Sequence, residues 1–501
     1  MKKILIILIL ISSTLLAQEN KVLKGIILDS DKQTALAYAN IVVLHNAQGT
    51  ISNELGSFSL DISSLESSDT ISFQYIGYKT LKLTLKQIDS LVTDEYLQIF
   101  LKEEVINLSE AFVFSNPPDA EFIIEQVLEH QEQNYKRETS KNQVFIRQRN
   151  TSDIDDINIK LKRNDIPELN QSLIKQVEKN IPKHNTSYTD LLGKIYFSES
   201  FDDSIKVNPI KTVSLKEPEV SELDQISKIF EKLFKDTKEK EYWKVKTGIF
   251  SQEITINEGE QKDSTKNKTI DKSTIGLKTQ YLNNTIKDEW AFSSLENDDE
   301  WEFLYKTGKY NFTLSGGTRV NGEDVYIIDF TPKSSGLYIG RAYISINTYA
   351  LIRADYQYDT GKQGTNIQLF GVGYSQNHFE GSILFEKKDK NYILKYLSRR
   401  KSTQFSFDRN LSLIKKRERF LFDKELYEIK VKFNITVTTE ESTEILILNH
   451  KTIPNSEFNH LKQDKFYQVI YVDQFNDTLW KGYSIIEPTQ QMREYKKHTD
   501  N

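Results

Sequence analysis

Seven histidines, His45, His130, His184, His378, His450, His460 and His498, are the first residues from which a metal centre could be built. Zinc takes three or four N, S or O ligands in fixed geometry. None of the seven is followed at the third position by Glu, none lies in a His-Glu-x-x-His helix, and no two stand at helical ligand spacing. With no cysteine in the chain there is no thiolate ligand, disulfide or lipidated cysteine. No metal and no cofactor is expected, and all seven histidines read as lone surface residues. Serine chemistry needs a nucleophile elbow, and no Gly-x-Ser-x-Gly occurs. Gly371-Val372-Gly373 lacks the third glycine and following helix of a phosphate loop, so it reads as a closely packed strand.

Two acidic runs, Asp153-Ile154-Asp155-Asp156 and Glu296-Asn297-Asp298-Asp299-Glu300, offer hard oxygens but not calcium-loop spacing. They read as solvated turns. Trp243, Trp290, Trp301 and Trp480 read as cross-strand core aromatics rather than a sugar platform. No catalytic residue is assigned. Paired carboxylates for glycoside hydrolysis can lie anywhere in a chain, so an envelope hydrolase with dispersed carboxylates stands as the alternative to a binding protein.

The elements that would position any site begin with a leader. Met1-Lys2-Lys3 is a basic n-region, Ile4–Ile11 an apolar h-region, and Ala17 a small residue suited to cleavage before Gln18. The apolar run is shorter than the roughly 20 residues a spanning helix needs, and no later segment approaches one. The expectation is export to the periplasm or to an outer-membrane-associated position, with residues 1–17 removed and no transmembrane helix in the mature chain. Across 501 residues the net charge is −6, which does not favour nucleic acid. With 38% hydrophobic and 28% charged residues the chain can bury cores beneath a polar surface.

Between Lys21 and Lys102 short strands alternate with turns: Val22–Leu28, Tyr38–Leu44, Phe58–Ile62, Ile71–Tyr75 and Leu97–Leu101. Gly49, Gly56 and Gly77 sit where turns need positive φ or a close backbone approach. Gly25, Ala39-Asn40-Ile41, Gly49-Thr50, Glu54-Leu55-Gly56-Ser57-Phe58 and Ile76-Gly77-Tyr78 together resemble the carboxypeptidase regulatory-domain-like module, a transthyretin-like β-sandwich. The resemblance covers about one fifth of the chain and implies a non-catalytic seven-stranded accessory domain at 21–103. Leu108-Ser109-Glu110-Ala111-Phe112-Val113 looks like the segment that follows this module in exported proteins related to TonB-dependent receptors.

Asn116-Pro117-Pro118 marks the next boundary, and Asp119 is placed to cap a helix through Phe122, Ile123, Val127 and Leu128. Leu169/Leu173/Val177 and Ile226/Ile229/Phe230/Leu233/Phe234 have helical spacing, whereas Val144–Arg147 and Lys194–Phe197 read as strands. A mixed α/β segment is therefore expected over 117–257, followed by a polar loop at 258–272. Over 273–486 the pattern is an antiparallel, curved β-sheet domain, with Asn321-Gly322 a strong hairpin signal, and 487–501 is a polar tail. The fold class is mainly β with some α.

The series Val320-Asn321-Gly322, Val325–Phe330, Tyr343–Ile346 and Tyr349–Ile352 is similar to the hairpins of a family of exported proteins of unknown function. More distantly it is similar to the sheet of periplasmic lipoprotein carriers. The second likeness implies a concavity for acyl chains, lined by Tyr326, Ile328, Ile344 and Ile352, although alternation cannot distinguish a cavity from a closed core. Many members of the first family continue into an outer-membrane barrel. Here the basic clusters Arg399-Arg400-Lys401 and Lys415–Arg419 interrupt any apolar band, and the strands read as soluble sheet. The function expected is a non-catalytic cell-envelope binding or scaffold protein with a docking sandwich. Its partners would be an envelope protein (a TonB-dependent receptor among them), a glycan or a lipid, and not nucleic acid.

Overall fold

The structure, a computed structural model, describes residues 21–495, apart from 45–48, 94–95, 105–117, 200–204, 216–227, 255–273, 321–322 and positions 230, 231, 233, 235, 236, 239 and 249. The leader expected at 1–17, the segment Leu108–Val113, the loop expected at 258–272, Asn321-Gly322 and most of the helical pattern 226–234 fall outside the described residues. Among those described, no helix is long and apolar enough to cross a membrane.

Seven short strands build the amino-terminal module: β1 Val22–Asp29, β2 Asn40–Val43, β3 Gly49–Ile51, β4 Ser57–Asp61, β5 Thr70–Gln74, β6 Leu81–Thr84 and β7 Tyr96–Leu101. They pair as a three-stranded sheet β4-β1-β7 and a four-stranded sheet β3-β2-β5-β6. Strict alternation along β1 turns Leu23 and Ile27 inward to meet Ile41, Phe58, Phe73 and Ile99. The turn glycines behave as their positions demand. Gly56 and Gly77 have φ of +75° and +88°, and a Cβ on Gly49 would stand 2.8 Å from the Ile41 carbonyl oxygen. At the rim, Asp29 accepts from the Lys32 amide and the Tyr78 hydroxyl, which hold its carboxyl below the usual carboxylate range.

The rest of the chain folds on one 15-stranded sheet. Its strands are β8 Ser140–Asn164, β9 His184–Phe197, β10 Lys206–Leu215, β11 Glu241–Thr247, β12 Phe250–Ile254, β13 Thr274–Lys278, β14 Tyr310–Val320, β15 Glu323–Pro332, β16 Tyr338–Ser345, β17 Leu351–Tyr358, β18 Asn366–Leu369, β19 Val372–Lys388, β20 Asn391–Arg417, β21 Lys424–Thr452 and β22 Phe466–Val472. The order runs β13-β22-β10-β9-β8-β21-β20-β19-β17-β16-β15-β14. It is antiparallel except between β10 and β22. The boundary drawn in the sequence near 257–273 does not divide the sheet, because β8 pairs β21 along most of both strands. Two further readings change. Asp153–Asp156 lies within the 25-residue β8 and is not a turn. The stretches 392–397 and 430–437 are parts of strands 27 and 29 residues long.

Helices cover one face of β14–β20. Asp119 caps Ala120–Glu129, its carboxylate accepting from the Phe122 amide at 3.4 Å, and the helix buries Ile123, Ile124 and Val127. The short helix Glu302–Tyr305 adds Phe303, whose ring stacks on Phe330 at 4.2 Å. Thr279–Ala291 adds Ile286. Together they close the largest core over Tyr326, Ile328, Phe330, Ala342 and Ile344, which share one face of β15 and β16.

The sandwich is seated on this body. Ile51 packs with Phe145, Tyr396, Trp480 and Ile486. Thr50 Oγ1 donates to the Ile485 carbonyl at 3.0 Å, and Asn53 Nδ2 to that of Glu487 at 3.1 Å. The carboxy-terminal segment thus bridges sandwich and sheet.

Candidate functional site

A cavity of about 210 Å³ opens at one end of the helix-covered face. Five parts of the chain meet there, the end of β9 bringing Phe197 and Ser198. The short helix Gln131–Asn134 leads through Tyr135, Lys136, Arg137 and Glu138 into β8. The end of Thr279–Ala291 brings Lys287 and Trp290, and the turn after it brings Ser294, Leu295 and Glu296. The β19–β20 hairpin supplies Phe385, Asn391, Tyr392 and Leu394, and β21 supplies His450.

The walls are aromatic. Phe197 and Trp290 lie 4.4 Å apart between centroids, and Tyr135 meets Phe385 at 5.0 Å. The tyrosine hydroxyls are already engaged in the body. Tyr135 Oη donates to the Leu351 carbonyl at 2.7 Å, and Tyr392 Oη to Glu323 at 2.5 Å. Glu323 also accepts from Ser345 Oγ at 2.6 Å. What these two tyrosines leave for the cavity is ring surface, so the interior is suited to apolar matter.

The rim is charged. Arg137 donates to Glu296 at 3.1 Å and to Ser294 Oγ at 3.2 Å. Partial burial holds its guanidinium below the ordinary arginine value, with Glu296 opposing the shift. Glu138 accepts from Thr452 Oγ1 at 2.9 Å. Exposed Glu132, Lys136 and Lys287 complete the rim.

His450 is a correction to the sequence reading. It is half-buried on the cleft wall rather than a surface residue. β8–β21 pairing sets it opposite Asn142, and its Nδ1 donates to Asn142 Oδ1 at 2.7 Å. Burial, and then Lys388, hold its pKa below the usual histidine value, so the ring is neutral at pH 7 with Nε2 as an acceptor. Asn142 Nδ2 in turn donates to Ser140 Oγ at 3.1 Å. This chain orients the imidazole. It does not set the imidazole against the serine hydroxyl, as activation of a nucleophile requires. Among the described residues no three His, Cys, Asp or Glu gather in a way that could hold a metal ion.

The four residues expected to face a ligand lie elsewhere. Tyr326, Ile328, Ile344 and Ile352 are all buried in the main core, at 2%, 0%, 0% and 4% exposure, and none lines the cavity. Helices fill the concavity above them. Of the tryptophans, Trp243, Trp301 and Trp480 are core residues, while Trp290 stands half-buried at the cleft.

Residues 23–113 match the family model of the CarboxypepD_reg-like domain, which agrees with the strand order and turn glycines of the sandwich. No curated protein matches the chain. Among solved structures, MucB in complex with MucA(peri) is 7% identical, covering 63% of this chain and 94% of that chain with a TM-score of 0.16. A putative outer membrane lipoprotein-sorting protein domain from Vibrio parahaemolyticus is 8% identical, covering 68% and 97%, with a TM-score of 0.19. LolA superfamily protein NE2245 from Nitrosomonas europaea is 10% identical, covering 69% and 100%, with a TM-score of 0.17. Scores this low carry no functional argument.

Proposed function

We propose that the chain is an exported cell-envelope protein that works by binding rather than by bond-making. Its cleft between Gln131–Glu138, Lys287–Glu296 and the β19–β20 hairpin takes the apolar end of an amphipathic ligand. The leader-like Met1–Ala17 and the regulatory-type amino-terminal module support the location. One observation carries the activity: the cavity is walled by Tyr135, Phe197, Trp290, Phe385 and Tyr392 with the tyrosine hydroxyls spent elsewhere, under a rim that sets Lys136, Arg137 and Lys287 beside Glu132, Glu138 and Glu296. A volume of about 210 Å³ is below the roughly 300–1,000 Å³ of sites that enclose a drug-sized molecule. The cleft therefore receives one apolar end, and a polar head remains at the charged rim. The seated sandwich serves as scaffold, and the outward residues Tyr96 and Phe100 on the edge strand β7, 37% and 42% exposed, leave that edge available to a partner.

The test uses the mature chain and a brominated long-chain fatty acid. Bromine quenches a tryptophan only at short range, so Trp290 emission should fall on binding, and the quenching should disappear in Trp290→Phe. Unchanged emission at saturating fatty acid, or equal quenching in the variant, would remove the cleft as the binding site.

A further inference from the structure

β20 and β21 join through the turn Glu418–Asp423, at whose centre stands Phe420-Leu421-Phe422. These side chains are 101%, 78% and 85% exposed, more than any other large apolar residue described. A single exposed leucine means little. Three successive large apolar residues at an apex form a patch that calls for a partner.

The turn is held out rather than frayed. Glu241 of β11 grips the hairpin base through Lys415 at 3.0 Å and Arg417 at 2.6 Å. Tyr242 Oη donates to Asp423 at 2.7 Å, and the Glu418 amide to the Lys240 carbonyl at 2.9 Å. Around the apex the charge reverses. With Lys415 buried against Glu241, Lys416–Glu425 carries four cationic and three acidic side chains, in a chain whose net charge is −6. Exposed Lys238 and Lys240 lie alongside.

From this juxtaposition of an exposed Phe-Leu-Phe apex with a cationic collar we infer that the β20–β21 tip is a docking point for an anionic phospholipid bilayer. The apolar side chains enter the boundary between headgroups and acyl chains, and Arg419, Lys424 and their neighbours meet the phosphates, their aliphatic stems lying along the apolar layer. A protein partner fits less well. Three convex residues bury far less than the roughly 1,000 Å² a specific protein interface needs, whereas a bilayer demands no matching shape. The tip is also remote from the cleft: 26 positions separate Leu394 from Phe420 along extended chain, roughly 85 Å of contour. Docking at the tip therefore does not depend on the ligand reading above.

The experiment is flotation of the mature chain with vesicles of phosphatidylglycerol and phosphatidylethanolamine, against vesicles of phosphatidylcholine alone. The expected result is co-flotation with the anionic vesicles, released by salt, and a partition coefficient lowered about 100-fold or more in the triple variant Phe420→Asp, Leu421→Asp, Phe422→Asp. Circular dichroism checks that the variant is folded. As a second measure, Phe420→Trp should blue-shift its emission on anionic vesicles and be quenched by brominated lipid. Flotation of the triple variant equal to the parent, or an emission from Phe420→Trp that does not shift, overturns the inference. So does a parent that ignores vesicles but self-associates through the tip, the triple variant being monomeric.

Discussion

Replacing Asp190 by alanine should release the carboxy-terminal segment from the sheet. Arg147 on β8 and Asp190 on β9 are register partners, with Nε to Oδ1 at 2.8 Å and Nη2 to Oδ2 at 2.7 Å. Their side chains are 6% and 1% exposed. The remaining guanidinium nitrogen, Nη1, donates to the Ile486 carbonyl at 3.0 Å, so one buried fork fixes two strands and the bridging segment together. Removing the carboxylate leaves a buried guanidinium with one neutral acceptor in hydrogen-bond contact and only the longer-range charges of Glu444 and Glu487, at a cost of about 3 kcal/mol. The exposed pair Arg319–Asp324, at 55% and 23%, is by contrast worth about 0–1 kcal/mol. Because a chain of this size need not unfold in one step, the readout should be local. Hydrogen exchange at the amides of 485–487 should quicken by about two orders of magnitude, at about 1.4 kcal/mol per factor of ten. The double variant Arg147→Met, Asp190→Leu should recover part of the protection, since the two paired charges leave together, while buried Glu444, opposite Arg147 on β21, loses its cation and must take up a proton. Unchanged exchange in Asp190→Ala, or a double variant worse than the single, would refute the reasoning.

In the sandwich, a Cβ at Gly25 would stand 2.3 Å from the Leu97 carbonyl oxygen and 2.8 Å from the Phe58 ring. Gly25→Ala should therefore push β1 from β7 and cost about 1–3 kcal/mol, read as a lower Tm. At the cleft, Glu323→Ala frees Tyr392 and Ser345 from their shared acceptor. Fatty-acid affinity should fall roughly tenfold in the Trp290 quenching assay without loss of the fold. The hairpin base should be acid-sensitive. Arg417 first, then the Lys238 amide and Lys415, against the opposing effect of burial, lower the Glu241 pKa to about 2 from its ordinary 4.5. A carboxylate whose folded pKa is depressed contributes stability that is complete above the unfolded value and is lost as pH falls towards the folded one. Exchange at β11 amides, corrected for the intrinsic pH dependence, should rise between pH 4.5 and 2, and Glu241→Gln should flatten that rise.

The sandwich was legible because its signals are local. Alternation along β1, turn glycines with forced geometry and a short strand spacing each specify structure within a few residues. The helix cap at Asp119 was legible for the same reason. The long strands were not. Charged runs such as Arg399-Arg400-Lys401 look like interruptions on paper, but they sit inside β20 because other elements supply their partners: Glu289 of the helix Thr279–Ala291 for Arg399, Glu380 of β19 for Arg400 and Glu441 of β21 for Lys401. Pairing of that kind is set by register between distant segments, which no window of sequence contains.

The cleft shows the same limit more sharply. Alternation on β15 and β16 assigns Tyr326, Ile328, Ile344 and their neighbours a place on the sheet, and all three are buried. Parity says which residues share a face; it does not say whether helices will fill the space above it. Here Ile123, Ile124, Val127 and Phe303 do so, and the remaining space is displaced to the end where the helix cover stops. The residues that line it had been assigned one at a time, Trp290 as core and His450 as surface. What makes His450 a cleft residue is Asn142, distant by 308 positions and delivered by the β8–β21 ladder. A site assembled by a sheet whose neighbouring strands are hundreds of residues apart has no spacing to read. It becomes visible only once the register is known.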